Sequence, residues 1–379
     1  MNSGDEMLPD DAPARPGAWG RTVRGRGAAG NPPNRFERSW HELDPEADDP
    51  DLAEPDAEPA PATQFLPDAT RSIVARNDSP DIPFDASINP YRGCEHGCSY
   101  CYARPSHEYL GFSSGLDFET KILVKHDAAA LLRAEMMKPR WVPTPLNLSG
   151  VTDAYQPVER RLRLTRACLE VLAEFRNPVT VITKNRLVTR DADLLGQLAA
   201  YRASAVFVSI TTLDQALARA LEPRASTPSQ RLSAIAILAQ AGVPTGVMVA
   251  PVIPGLNDHE IPTILDAAAN AGAKRAGSVL LRLPLSVAPL FEDWLERHAA
   301  GRKDKVLGRL RAMRGGNLND PRFGNRMRGE GAFSDAIDTL FEAGCRKAGL
   351  NREPLTLSTD AFRRPDARGS SGQQLRLFE

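Results

Sequence analysis

Three of the chain's five cysteines fall within eight residues, in the run Gly93-Cys94-Glu-His-Gly-Cys98-Ser-Tyr-Cys101. The spacing is C-x3-C-x2-C. It puts three soft thiolates on one short loop, and thiolate is the ligand that iron–sulfur clusters select. A [4Fe–4S] cube held by three cysteines keeps one iron open, and an open iron can bind a cofactor or a substrate. Gly93 and Gly97 allow the tight backbone that a wrapping loop needs. Two other chemistries use the same donors. A zinc site needs a fourth ligand, which His96 or His107 would supply. A closed electron-transfer cluster needs a fourth cysteine. Cys168 and Cys345 are the remaining ones, and each sits in a helix-like apolar pattern that suits a buried small hydrophobe.

Such a loop needs a scaffold, and the pattern around it alternates. Short β-prone runs at 121–125, 146–149, 179–183, 205–211, 245–253 and 278–283 are interleaved with or followed by helical runs at 159–175, 191–201, 229–241, 258–271 and 289–299. Alternation of this kind predicts βα units and a parallel sheet of the α/β class. Most of the strands are continuous apolar runs, as expected when both faces are covered. About six units after the cysteine loop fit a partial (β/α)6 barrel better than a closed eight-stranded one. Residues 332–348 are expected to form a closing helix. The division expected is a mostly disordered tail at 1–80, a core at 83–290, a helical C-terminal extension at 291–362 and a flexible tail at 363–379.

The residues also carry a resemblance. The C-x3-C-x2-C spacing, with Tyr100 just before the third cysteine, resembles the signature of the radical S-adenosylmethionine (SAM) superfamily. The runs Cys98-Ser-Tyr-Cys-Tyr-Ala103, Thr152-Asp153, Thr183-Lys184-Asn185, Leu221-Glu-Pro-Arg224 and Gly246-Val-Met-Val-Ala-Pro251 are similar to its spore-photoproduct-lyase-like branch, across roughly residues 84–290. The resemblance implies a partial TIM-type barrel and a [4Fe–4S] cluster on Cys94, Cys98 and Cys101. It implies that the open iron chelates SAM, that a flavodoxin- or ferredoxin-type reductase supplies one electron, and that a 5′-deoxyadenosyl radical then takes a hydrogen atom from the substrate. It also implies SAM contacts: Tyr100 to the adenine, Thr152 through its hydroxyl, Lys184 to the methionine carboxylate, and Ser209 to the ribose or amino-acid part. Glu222 and Arg224 receive no role. One departure matters: where the lyase carries a hydrogen-donating cysteine, alignment on Thr152-Asp153 places Gly150, so the lyase's own repair route is not expected.

Charge and the chain end bear on partners. Residues 41–60 carry nine acids and no Lys or Arg; taking those nine from the 48 acids leaves 39 against 47 basic residues. Residues 301–328 have nine basic residues against two acids, which reads as a polyanion-binding face or as a solvated surface. The end, Gln374-Leu375-Arg-Leu377-Phe378, resembles the pentapeptide by which bacterial replication and repair proteins dock on the β sliding clamp, and a Gly/Ser-rich stretch tethers it. Residues 1–15 are acidic and Pro-rich, unlike a signal peptide, and no apolar run approaches the ~20 residues of a membrane span. A cytoplasmic radical SAM enzyme acting on DNA is the first expectation. A radical SAM enzyme acting on a protein or small molecule, and a non-enzymatic Fe–S module in a DNA-associated assembly, are the alternatives.

Overall fold

A computed structural model describes residues 23–37 and 61–365. Ten strands occur there in chain order: β1 (Gln64–Pro67), β2 (Val74–Arg76), β3 (Ala86–Ile88), β4 (Tyr91–Arg92), β5 (Lys121–Val124), β6 (Leu146–Leu148), β7 (Val179–Thr183), β8 (Ser204–Ser209), β9 (Thr245–Val252) and β10 (Arg275–Leu280). Seven of them form one sheet in the order β10-β9-β8-β7-β6-β3-β2. Every pairing from β3 to β10 is parallel, and β2 adds an antiparallel edge. Six parallel strands in sequential order, with helices between them, make the open (β/α)6 barrel that the alternation predicted.

The helices bury one stripe each. Leu164–Phe175 turns Cys168, Leu169, Leu172 and Phe175 inward, positions spaced at helical period, against the apolar strands Val179–Thr183 and Leu146–Leu148. Burying such a side chain fully contributes roughly 1.5–3 kcal/mol. The expected helix at 159–175 is interrupted: Arg163 takes a left-handed conformation (φ 55°) and divides Glu159–Leu162 from Leu164–Phe175. Ala332–Ala348 packs on Ile261–Asn270, closing the barrel's outer layer as expected.

Two placements differ from the sequence expectation. The run at 121–125 is not a barrel strand: β5 pairs with β1 and β4 in a separate three-stranded sheet. The first barrel strand is β3, which precedes the cysteine loop. At three residues, Ala-Ser-Ile, it is too short to show a period. Parts of the stretch expected to be a disordered tail are also built into the structure. Residues 25–36 lie across the cysteine loop, with Ala28 and Ala29 buried, and β1 and β2 follow later in the same stretch. These residues gain order from partners far along the chain, which composition does not reveal. At the other end, Arg363 and Arg364 are tied to main-chain oxygens of Phe175, Glu174, Met136, Lys138 and Trp141. No helix of the described residues is long and apolar enough to cross a membrane.

Candidate cofactor site at the barrel mouth

The cysteine loop runs out from β3 and β4 and lies over the C-terminal ends of the barrel strands, where sites of such barrels gather. It is gripped on both sides by a buried carboxylate. On the outer side Glu119, fully buried, accepts from the amides of Gly27 (3.1 Å) and Ala28 (2.9 Å) and from the buried Arg104 (2.5 Å). Arg104 also donates to the Cys98 carbonyl at 3.0 and 2.8 Å. Gly97 has φ 68°, a backbone that favours glycine, and the carbonyl of Gly97 meets the chain at Gly27 so closely that a Cβ there would lie 1.8 Å from the oxygen.

On the inner side the carboxylate is Glu222, also buried. It accepts from the Tyr100 hydroxyl, from Thr211 and from the buried Arg231, and the Lys184 ammonium stands 3.6 Å away. Burial alone would raise its pKa, but Arg231 and Lys184 overcome that and hold it at about 2. Arg231 belongs to the apolar stripe of Pro228–Gln240, where Pro228, Ala234, Ile235 and Leu238 are its buried neighbours in sequence period. That helix begins with a capping box, Thr227 and Gln230 exchanging side-chain and backbone bonds. Lys184 donates to the Ala250 carbonyl (2.9 Å), an oxygen that also lies 2.9 Å from the Thr211 hydroxyl. The ammonium lies 5.9 Å from the Tyr100 ring centroid.

The remaining expected positions lie on the same mouth. Thr152 hydrogen-bonds Ser149 at 2.9 Å, and the turn after β6 is organised by Asn89, whose side-chain Oδ1 accepts from Ser149, Gly150 and Val151. Ser209 ends β8, and its carbonyl accepts from Arg231 at 3.0 Å. Asp153 accepts from the Thr183 hydroxyl (2.6 Å) and the Lys184 amide (2.7 Å), with His96 at 3.4 Å. Burial opposes its ionisation, but His96 and these donors keep its pKa at about 2. Glu222, left without a role by sequence reasoning, is thus the centre of the inner network. Arg231, Asn89, Glu119 and Arg104 were missed. An arginine set in the apolar stripe of a predicted helix was the one available signal, at Arg231. Arg224 reaches back to Glu95 at 3.1 Å.

The donor set fits a cluster. All three cysteines are free, and burial raises each thiol above its ordinary value, with Cys98 and Cys101 adding to the rise at Cys94. Lys184, Arg231 and Arg104 favour the thiolates of Cys98 and Cys101, but burial outweighs them, and bound iron would supply the larger compensation. A zinc ion needs donors converging on one point. Both candidate histidines are engaged: His96 between Asp153 and Asn185, and His107 on the Lys121 carbonyl (2.9 Å) against Phe118 and Phe112. Cys168 is in the barrel core, and Cys345 is on the outer closing helix.

Four of the nine basic residues at 301–328 are committed to ion pairs. Lys303 pairs with Glu296, Arg309 with Asp258, Arg322 with Asp320 and Glu330, and Arg326 with Asp81.

Comparison with known proteins agrees with this geometry. A protein of Mycobacterium tuberculosis named as uncharacterized is 39% identical over 218 residues, 57% of this chain and 64% of the relative. This chain's match therefore spans just under two thirds of that relative. A protein of Methanocaldococcus jannaschii, also named as uncharacterized, is 29% identical over 173 residues, 46% of this chain and 62% of the relative. Among solved structures, spore photoproduct lyase complexed with dinucleoside spore photoproduct superposes with a TM-score of 0.53 over 76% of this chain and 80% of that one, at 16% identity, a likeness of fold. Residues 88–268 match the family model of the Radical SAM superfamily. That match covers just under half of the chain, and the superfamily it describes uses a [4Fe–4S] cluster and S-adenosylmethionine as cofactors.

Proposed function

We propose that this chain is a radical SAM enzyme that takes a hydrogen atom from a DNA substrate, with the cluster on Cys94, Cys98 and Cys101. The observation that carries the chemistry is three free cysteines on one loop at the mouth of a six-stranded open barrel, inside the segment that matches the Radical SAM superfamily. When bound, the cluster and SAM supply a 5′-deoxyadenosyl radical. The chain's own residues position and shield. Lys184 offers its ammonium to the SAM carboxylate, Tyr100 presents its ring to the adenine, and Thr152 and Ser209 give polar contacts. Glu222 fixes Tyr100 and Lys184 in place. Residues 25–36 cover the outer face of the loop and keep water from it.

The DNA substrate is supported by the basic excess outside residues 41–60 and by the shared fold with spore photoproduct lyase. The lyase's own reaction is not assigned. Gly150 carries no thiol, and Cys168 and Cys345 are buried away from the mouth. We also propose docking on a bacterial β sliding clamp through Gln374, Leu375, Leu377 and Phe378, which lie outside the described residues, and electron supply by a flavodoxin- or ferredoxin-type reductase. Binding of a 373–379 peptide to purified clamp tests the docking; a Kd above ~1 mM, about −4 kcal/mol, rejects it.

Anaerobic reconstitution tests the enzyme. The reduced protein should hold about four irons and form 5′-deoxyadenosine from SAM. Cys94→Ala, Cys98→Ala and Cys101→Ala should each abolish both, and Cys168→Ala should not. Lys184→Ala should weaken SAM binding about tenfold or more, the loss of a charge-assisted contact of roughly 1.5–3 kcal/mol. Stoichiometric zinc without iron absorption rejects the reading.

A further inference from the structure

The open barrel has a gap between its edge strand β10 and the segment that leads into β3. Two stretches distant in sequence meet there. Arg326 pairs with Asp81 and touches Ser79, and the Gly324 amide donates to Asp81 at 2.7 Å. Two more guanidiniums lie on the same side. Arg282 follows β10, and its guanidinium lies 4.3 Å from the Tyr102 ring centroid. The Tyr102 hydroxyl donates to the Gly150 carbonyl at 2.8 Å, so this stack bridges the cysteine loop and the end of β6. Arg314 donates to the carbonyls of Leu281 (2.7 Å) and Arg326 (3.3 Å).

The charges do not balance. Asp81 is taken by Arg326. Asp320, near Arg314, is held by Arg322 through both its oxygens. Among the described residues Arg282 makes no hydrogen bond or ion pair, and the Arg314 Nε is buried with no partner. Burial disfavours the charge on both, and the neighbouring guanidiniums add to the cost: Arg326 acts on Arg282, and Arg282 on Arg314. Four guanidiniums, Arg282, Arg314, Arg322 and Arg326, stand here with three committed carboxylates, Asp81, Asp320 and Glu330, and among the described residues Arg282 is left without an ion-pair partner that an incoming anion would supply.

We propose that Arg282 and Arg326, backed by the buried Arg314, form an anion site at the open side of the barrel that holds a backbone phosphate of a single-stranded or splayed nucleic-acid substrate. The site rests on the DNA reading above and names what would grip that substrate. Nucleic acid is favoured over an acidic peptide by what surrounds the cations. Tyr102 and Phe323 are both exposed aromatics, and each carries one of these arginines on its ring, Arg282 at 4.3 Å and Arg326 at 4.7 Å. Aromatic faces interleaved with phosphate-binding cations are how proteins hold unpaired bases and their backbone.

The test uses reconstituted full-length protein and a fluorescent thymidine hexanucleotide, its neutral methylphosphonate counterpart, and a Glu-rich peptide. Wild type should bind the hexanucleotide. Arg282→Gln should weaken it roughly tenfold and lower the slope of log affinity against log salt by about one. Binding of the neutral counterpart should not change. Arg282→Lys should restore the slope. Arg314→Gln should act in the same direction, and it serves if Arg282→Gln fails to load iron. If wild type binds and both glutamine variants bind equally with the same slope, the site is wrong and the DNA reading stands. If wild type cleaves SAM but binds no oligonucleotide, the DNA reading fails and the site with it. A loss confined to the Glu-rich peptide reassigns the cluster to a protein partner. A shift in the cluster's reduction potential without a change in oligonucleotide affinity reassigns Arg282 to the cluster. Either outcome overturns the proposal.

Discussion

Glu119 and Glu222 flank the same loop, both buried and both paired with a buried arginine. They differ in what else they hold. The other bonds of Glu119 go to main-chain amides of residues 27 and 28, so its role is to fasten the N-terminal segment to the loop. The other contacts of Glu222 are the Tyr100 and Thr211 hydroxyls and the Lys184 ammonium, groups that face the mouth. One chemical device thus serves as a clasp on one side and as a positioning group on the other. A buried ion pair is weak evidence of net stabilisation, but breaking one strands a charge; its neighbours decide what that loss does.

The largest expected effect separates the two. Glu119→Gln strands Arg104 and should cost about 3–5 kcal/mol of stability, read as a fall in melting temperature. SAM affinity per folded, iron-loaded molecule should stay within about twofold, well under the tenfold that 1.4 kcal/mol represents. Glu222→Gln should lower stability by a comparable amount and also change SAM affinity. Equal changes in SAM affinity for the two variants would erase the distinction.

A pH experiment probes the outer side alone. His107 packs next to the loop, and burial depresses its pKa to about 4 from 6.5. The unfolded chain therefore binds the proton first as pH falls, and stability drops between about pH 6.5 and 4. The full loss is about 3 kcal/mol. The carboxylates Asp153 and Glu222, held near 2, lose their contribution only below their unfolded pKa values, from 3.8 and 4.5 downward. Denaturant titrations at pH 7 and pH 5 should show a steeper loss for wild type than for His107→Gln. Parallel curves would show that His107 is not held neutral.

The smallest effect tests the inner side from a distance. Thr227→Ala removes the cap of the helix that carries Arg231 and should cost about 1 kcal/mol. Cofactor affinity should be nearly unchanged, because Arg231 is also held by the carbonyls of Ser209 and Ser226. A large loss of SAM binding would mean that the Arg231–Glu222 pair depends on the cap.

Much of this was legible in the linear chain. The spacing of Cys94, Cys98 and Cys101 on a glycine-bearing loop pointed to thiolate ligand chemistry, because three thiolates a few residues apart are local by construction. The barrel strands β6 to β10 and their helices were legible for a similar reason: each element's burial imprints its own period on its own residues. What the tertiary structure decided is pairing. Nothing in 121–125 tells whether it joins the barrel or a side sheet, since an apolar run reports that it is covered and not by what. Nothing in 25–36 announces that Gly27 will lie against Gly97 or that its amide will meet Glu119, 92 residues away. The buried pairs Arg104–Glu119 and Arg231–Glu222 and the crowded Arg282, Arg314 and Arg326 are likewise products of the chain's path. A charge is placed by the partner the fold brings to it, and a one-dimensional pattern carries no record of partners so far apart.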